Sequence, residues 1–437
     1  MKIDILKHTI VNVCKSITYG MKKPDKKFFR TSLESMMEYQ TTVLSRMGDT
    51  TERSAAKTLK YLSYHLGKKI FQDLSLKAFY LLARFIWDIS PDTCICFDSV
   101  DINKYSARQM EDLRKVRDGS TGNIVNGYVL NAVSIKWIPL LMERELLTDT
   151  EGTELTTRYD IFETQVQKIQ SQFWSGSWIL ADRLYDDVKK YNLLLTEWFR
   201  FAIRMKTSRY VTMESILSGG YRETETWAIE TGDQIQISQK IQVADLPEWH
   251  YKITFPGLQR ACFLTVTLKK GMKNPIRVLS SESDTGTVLQ YLKRWEIERI
   301  FKTGKQELEL ESIGTKSKYK IDHLIVLVQL SLGISAHIYN RLHEQLITEE
   351  CSGKIVKMKA KYLVFEGSNP NNKKAVVDAT AFVKNMKRYL ARVSKTFNRN
   401  SIICFIGDYM KKVRKIYWNL EKVTQKPQLS AQLSLGF

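Results

Sequence analysis

Cysteine is sparse and scattered. The six cysteines stand at 14, 94, 96, 262, 351 and 404, and no CxxC pair occurs among them. A zinc ribbon is excluded on that spacing, no disulfide framework is suggested, and a reducing compartment is expected. Long apolar runs are missing too. The longest candidate, "HLIVLVQLSLGISAHIY", is interrupted by Gln329, Ser331, Ser335 and His337. It reads as a buried helix, and no membrane partner is expected. The opening "MKIDILKHTIVNVC" lacks an unbroken apolar core followed by a small-residue cleavage site, so no secretory signal and a cytoplasmic location are expected. There is no internal repeat and no long low-complexity segment. Acidic residues fall short of basic ones, 47 against 67, which leaves a formal net charge of +20 and a pI near 9.5. Such a surplus implies an anionic partner, with nucleic acid first in line. The plainer alternative is a basic protein kept soluble by its lysines.

What is present can build a sizeable core. Of 437 residues, 43% are hydrophobic, and the length suits about two to four structural units. Residues 1–88 read as helical. Within them "TSLESMMEYQTTVLSRM" has helical apolar spacing, with Thr31 or Ser32 as its cap. Lys22, Lys23, Lys26, Lys27 and Arg30 precede it as a basic cluster, which is either a DNA-contacting surface or a solvated charge run.

From Pro91 the pattern changes. "TCICFDS" is a short, nearly continuous apolar run ending in Asp98, as in a strand buried on both faces. "DGSTGN" is rich in turn formers. "IVNGYVLNAVSIKWIPL" reads as two further strands, "RYDIFETQVQKIQSQFW" as a helix, and "SWILADRLYDD" as a strand ending in Asp182. The expected order is strand, strand, strand, helix, strand, an α/β core over 89–210. Residues 211–285 alternate in polarity and read as a β-rich insertion. Residues 286–345 resume the core with a helix that opens in "DTGTVLQ", where Asp284 or Thr285 could cap it. The final region, 346–437, is basic and reads as helical.

Two aspartates at the ends of strands and a glutamate from a helix are the donors of an oxygen-only site for Mg²⁺ or Mn²⁺. Sites in open α/β sheets lie beyond the carboxyl ends of strands, where Asp98 and Asp182 fall. A lone acid at a strand end is more often a surface or capping residue, so the pair carries the weight. Asp101 would point to the opposite face. Asp186 and Asp187 suit the start of the next helix.

The third acid lies in "YLKRWEIERIFKTGK". At about 100° per residue, Tyr291, Arg294, Glu298 and Lys305 share one stripe, joined by Lys302. Leu289, Ile297 and Ile300 lie opposite. Glu296 projects toward the apolar side and is the weaker metal candidate. A carboxylate between cations is what an ion beside bound phosphates needs. The plainer account is an exposed helix laced by i,i+4 pairs.

These residues carry a resemblance. Tyr291, Arg294, Glu298 and Lys305 match the YREK signature of the IS4-type DDE transposases. "RWEIE" is similar to that family's RW-IE, and "ADRLYDD" to its DRxYD. "FDSVDINK" with "RDGSTGNIVNGY" resembles the region of its first catalytic aspartate. The likeness covers roughly residues 90–345. It implies an α/β fold with an RNase H-like core, interrupted by a β-rich insertion domain and flanked by helical N- and C-terminal regions. It implies a cytoplasmic, nucleoid-associated prokaryotic enzyme that cuts DNA at the ends of an insertion sequence and joins the 3′ ends to a target. Asp98, Asp182 and Glu298 would be both catalytic residues and metal ligands, holding two Mg²⁺ or Mn²⁺ ions per site. Tyr291, Arg294, Lys302 and Lys305 would contact DNA phosphates. Residues 1–88 would bind the terminal inverted repeats. The basic C-terminal region would serve dimerisation or DNA contact, and a homodimer on paired ends is implied. Some relatives pass through a DNA hairpin with the help of an aromatic residue. The strand "NPIRVLSS" before the helix holds no tryptophan; Trp227 and Trp249 elsewhere in the insertion could stack on a base, although packing is the commoner role, and hairpin formation is left open. His250 reads as structural. The rivals are a transposase-derived DNA-binding protein without cleavage activity and a stand-alone nuclease of the same fold.

Overall fold

The computed structural model describes residues 4–352 apart from short stretches, of which 48–54, 146–157 and 218–239 are the longest, together with 363–366 and 372–377. The chain divides into two compact units, residues 82–301 and residues 1–81 with 302–437.

Residues 82–301 are built on one eleven-stranded mixed sheet. Its first half comprises β1 (Cys94–Asn103), β2 (Arg114–Arg117), β3 (Ile124–Ile135), β4 (Ile138–Arg144), β5 (Trp178–Ala181) and β6 (Arg200–Arg204). β1 pairs antiparallel with β3, and β3 with β4, whereas β1, β5 and β6 run parallel. Apolar runs such as Trp178–Ala181 are buried along their whole length, as central strands covered on both faces must be. Helices α6 (Arg158–Gln170) and α7 (Val188–Thr196) provide the crossovers into β5 and β6. The expected strand order is therefore present, with β2 as an additional short strand. Gly127 of β3 is dictated by close approach: a Cβ there would stand 2.4 Å from the Ile102 carbonyl oxygen.

The strand-rich segment expected over 211–285 is present as well. β7 (Tyr210–Leu217), β8 (Lys240–Gln242), β9 (Trp249–Thr254), β10 (Cys262–Thr267) and β11 (Ile276–Ser280) follow in chain order. They continue the same sheet, in the order β6-β11-β10-β9-β7-β8, instead of forming a second one. Trp249 is half-buried in β9, and His250 is fully buried between the Thr265 hydroxyl at 2.9 Å and the Ser283 carbonyl at 3.1 Å, a structural role. Trp227 lies outside the described residues.

In the other unit the described residues before position 82 are largely helical. It contains α1 (Asp4–Ile17), α2 (Lys23–Tyr39), α3 (Leu44–Met47), α4 (Ala55–Leu66) and most of α5 (Leu74–Ala83). Pro24 opens α2, so the basic cluster occupies its first turns, and Thr31 and Ser32 are interior positions rather than caps. The long α10 (Lys318–Gln345) packs against α1, α2 and α4, and its interrupted apolar run is buried there. Lys320 donates to Ser63 at 2.9 Å, and His323 approaches the Leu66 carbonyl at 2.6 Å. The division at 301/302 thus places α10 with the N-terminal helices, although the sequence assigned 286–345 to the core. Within 346–437 the described residues form β12 (Glu350–Ser352), β13 (Leu363–Glu366) and β14 (Asn372–Val377), a small antiparallel sheet where helix was expected. Among the described residues, no helix is long and apolar enough to cross a membrane.

Candidate active site

The parallel register between β1 and β5 ends at Phe97 and Ala181. The next residue on each strand is an aspartate, Asp98 and Asp182. Neighbouring positions on parallel strands lie about 4.8 Å apart and face the same way. Asp98 itself does not end its strand, because β1 continues against β3 as far as Asn103. It stands where the parallel partner stops. There Asp182 turns away as the cap of a short 3-10 turn, with its Oδ1 accepting from the Leu184 N–H at 2.7 Å.

The neighbouring acids have other tasks. Asp101 accepts from the Arg117 N–H at 3.3 Å, and Asp187 caps α7 through the Lys189 N–H at 2.8 Å. Asp186 does not join a helix start. It is buried as a hub for the Tyr191 hydroxyl (2.8 Å), the Lys206 N–H (2.7 Å) and Arg209 (2.7 Å).

The signature segment is two helices. α8 (Thr287–Leu292) ends at Lys293, and α9 (Trp295–Glu307) starts again through i,i+3 bonds, Glu296 N–H to Lys293 O and Ile297 N–H to Arg294 O, each 3.1 Å. The break rotates the first helix relative to a straight-helix projection. Tyr291, expected on the open stripe, is 3% exposed, whereas Leu289, expected inside, is 51% exposed. Arg294, at 7% exposed, turns inward. Its Nη1 donates to Asp98 Oδ2 at 2.7 Å and its Nη2 to Glu298 Oε1 at 2.6 Å. The Tyr291 ring lies 5.7 Å from the guanidinium carbon. One arginine thus ties the strand aspartate to the helix glutamate. Lys302 lies exposed one turn further along α9, and Lys305 pairs with Glu311 at 2.9 Å.

Glu296 goes elsewhere, as its projection required. Its carboxylate accepts from the Trp137 N–H at the β3–β4 turn, where Lys136 and Trp137 both take positive φ (48° and 70°). Arg299 stacks on the Trp137 ring at 5.2 Å. Burial pushes the Glu296 carboxyl up to about 7.

The electrostatics converge on Asp98. Burial raises its pKa first, and the negative charges of Asp182 and Glu298 raise it further. Arg294 and the Ser99 N–H oppose them, and the net effect is a pKa pushed up to about 7. Phe97, next to Asp98 in β1 and facing the other way, packs in an aromatic cluster with Phe162 and Tyr185. Lys190, which no sequence signal distinguished from the rest of α7, is buried with its ammonium 4.6 Å from the Tyr185 ring centre. Burial lowers its pKa.

Three carboxylates whose charges meet at one buried aspartate are chemically suited to a hard divalent cation. The all-carboxylate donor set, with Asp98 buried and Glu298 held to it through Arg294, is the observation that supports this fit. Among the described residues, no group of three histidines, cysteines or acids is yet gathered closely enough to hold an ion, and Arg294 occupies two of the three carboxylates. Comparison with protein-family models and with curated proteins found no match.

Proposed function

We propose that the chain is a DDE-type transposase of the IS4 kind. On this proposal it binds terminal inverted repeats and catalyses DNA cleavage and 3′-OH strand transfer, with Asp98, Asp182 and Glu298 as its metal-binding acids. The observation that carries the reading is the register: Asp98 and Asp182 directly follow the last paired rung of two parallel strands, Phe97 with Ala181, with Glu298 tied to Asp98 through Arg294. The strand order β4-β3-β1-β5-β6, antiparallel on one side of β1 and parallel on the other, supports an RNase H-like core. The net charge of +20 and the exposed lysines on α2 support double-stranded DNA as the partner. A homodimer on paired ends follows from the resemblance.

When bound, Mg²⁺ or Mn²⁺ supplies activation of water or a 3′-hydroxyl and stabilisation of the leaving oxygen. The chain's own part is to hold the acids in place. The Ser99 N–H orients the Asp98 carboxylate at 2.8 Å, and the turn at Leu184 orients Asp182. Arg294 and Lys302 supply positive charge for phosphate oxygens.

The test uses the purified chain, Mg²⁺ and a duplex carrying the repeats that flank its coding region. Cleavage leaving a 3′-OH, abolished by Asp98→Ala with binding retained, is the expected result. Cleavage that survives Asp98→Ala would end the assignment. The second reading, a DNA-binding protein derived from a transposase that no longer cuts, is favoured by the arginine already seated on two of the acids. End binding without cleavage under any divalent metal would select it.

A further inference from the structure

Arg294 bridges two of the acids that the proposed site uses. Its side chain is 9% exposed, it bonds two carboxylates through separate nitrogens, and its Nε is buried with no hydrogen-bond acceptor. The two acids it bridges are the ones that the proposed activity needs for an ion, and the Tyr291 ring lies 5.7 Å from its guanidinium carbon.

We propose that Arg294 is a placeholder cation, which bridges Asp98 and Glu298 in the metal-free site and must leave them for a divalent ion to bind. The inference rests on the reading of Asp98, Asp182 and Glu298 as metal ligands. A guanidinium and a divalent ion are both cations seeking the same carboxylate oxygens, and each oxygen's strongest bond goes to one or the other. While Arg294 is seated, the repulsion between Asp98 and Glu298 is compensated and both side chains are fixed in orientation. Once released, the arginine is a planar donor beside the site, suited to a phosphate oxygen. DNA entry and metal loading would therefore favour one another, because each draws on the same swing of one side chain.

The break between α8 and α9 makes the arrangement possible. On a continuous helix Arg294 would stand beside Glu298 on the outer stripe. The i,i+3 turn at Lys293 carries the Arg294 side chain inward to Asp98 while leaving Glu298 exposed at the first turn of α9.

The experiment measures Mn²⁺ affinity of the full-length chain by the electron-spin-resonance signal of the free ion, with no catalysis involved. The wild type, Arg294→Met and Arg294→Lys are compared, each checked for folding by circular dichroism. Met removes the competing charge, and Lys keeps the charge but cannot bridge. The expected order of affinity is Met tightest, Lys intermediate and wild type weakest, with about tenfold or more between the extremes. Addition of a short duplex should tighten Mn²⁺ binding in the wild type more than in Arg294→Met. A wild type that binds Mn²⁺ as tightly as Arg294→Met, or a Lys variant no tighter than wild type, would overturn the placeholder. Asp98→Asn serves as the separate control. If it leaves Mn²⁺ binding intact, or if no variant binds Mn²⁺, the metal-site reading itself falls and takes the placeholder with it.

Discussion

Asp98 and Asp182 are the first residues past the last paired rung, Phe97 with Ala181, of two parallel strands. The two acids lie more than eighty residues apart in the chain, yet the backbone pairing that ends just before them brings their strands together. Substitution of either by Asn removes a charge without changing side-chain shape. Each variant should cleave DNA at least about a thousandfold more slowly, the effect of several kcal/mol of lost transition-state stabilisation. Binding of the same duplex should change little. Single-turnover cleavage and a mobility-shift titration on the same samples check both halves.

The acids of "ADRLYDD" should separate by what their loss does. Asp186 is 2% exposed and ion-paired with Arg209. Asp186→Ala leaves that arginine and the Lys206 N–H without their acceptor, and should cost about 3–5 kcal/mol of stability. Asp182→Asn loses only part of a turn cap, so its cost should stay near about 1 kcal/mol. Urea unfolding of the two variants decides. Equal losses would mean that Asp182 is as structural as its neighbour.

Much of this site could be read from the sequence, and the errors have physical causes. The two strand acids are visible because buried parallel strands are apolar throughout, so an acid closing such a run stands out. Register, which makes the acids neighbours, is a long-range property that no local pattern displays. Tyr291 and Leu289 were exchanged between inside and outside because the projection assumed one straight helix. No glycine or proline announces the break at Lys293. The inward turn of Arg294 follows from that break and from the field of Asp98, neither of which is local. Asp186 was read as a helix-start acid because its partner Arg209 lies beyond the next strand. The strand-rich segment after 210 was recognised by its alternation, but alternation cannot tell a separate sheet from an extension of the first.

Glu296 should show a pH-dependent cost. Its carboxyl titrates near 4.5 ordinarily and near 7 in the folded chain, chiefly through burial. A raised carboxyl pKa leaves stability untouched below the unfolded value, lowers it progressively between the two values, and lowers it fully above the folded value. Glu296→Gln keeps an acceptor for the Trp137 N–H and removes the buried charge. It should stabilise the protein by about 1–2 kcal/mol at pH 8, and the gain should vanish by about pH 4.5. Thermal melts across that range test the sign. A gain independent of pH would assign the effect to packing.

The tight meeting of three strands at Gly127 is also testable. Besides the Ile102 oxygen, an added Cβ would lie 2.5 Å from the Val116 side chain. Gly127→Ala should therefore force β1 and β2 apart and cost about 3 kcal/mol. The loss should appear as an early local transition in hydrogen exchange of residues 99–103 and 114–117. Wild-type protection there would show that the strands yield cheaply.

The basic stripe of α2 bears on how DNA would be held under the proposed function. Lys23, Lys26, Lys27 and Arg30 recur at helical spacing and are all exposed, while Asp25 on the other side is buried against His65 at 2.9 Å and Lys68 at 2.6 Å. Arg30 is already engaged with Glu34 at 2.7 Å, so the three lysines are the better phosphate contacts. Each lysine that meets a phosphate releases about one counterion, and the slope of log K against log salt records the number. Lys26→Gln with Lys27→Gln should lower that slope by about two and weaken specific and non-specific duplexes alike, because phosphate contacts carry no sequence information. Fluorescence anisotropy at several salt concentrations supplies the slopes. An unchanged slope would make the stripe a solvated face and move the DNA-binding surface elsewhere on the chain.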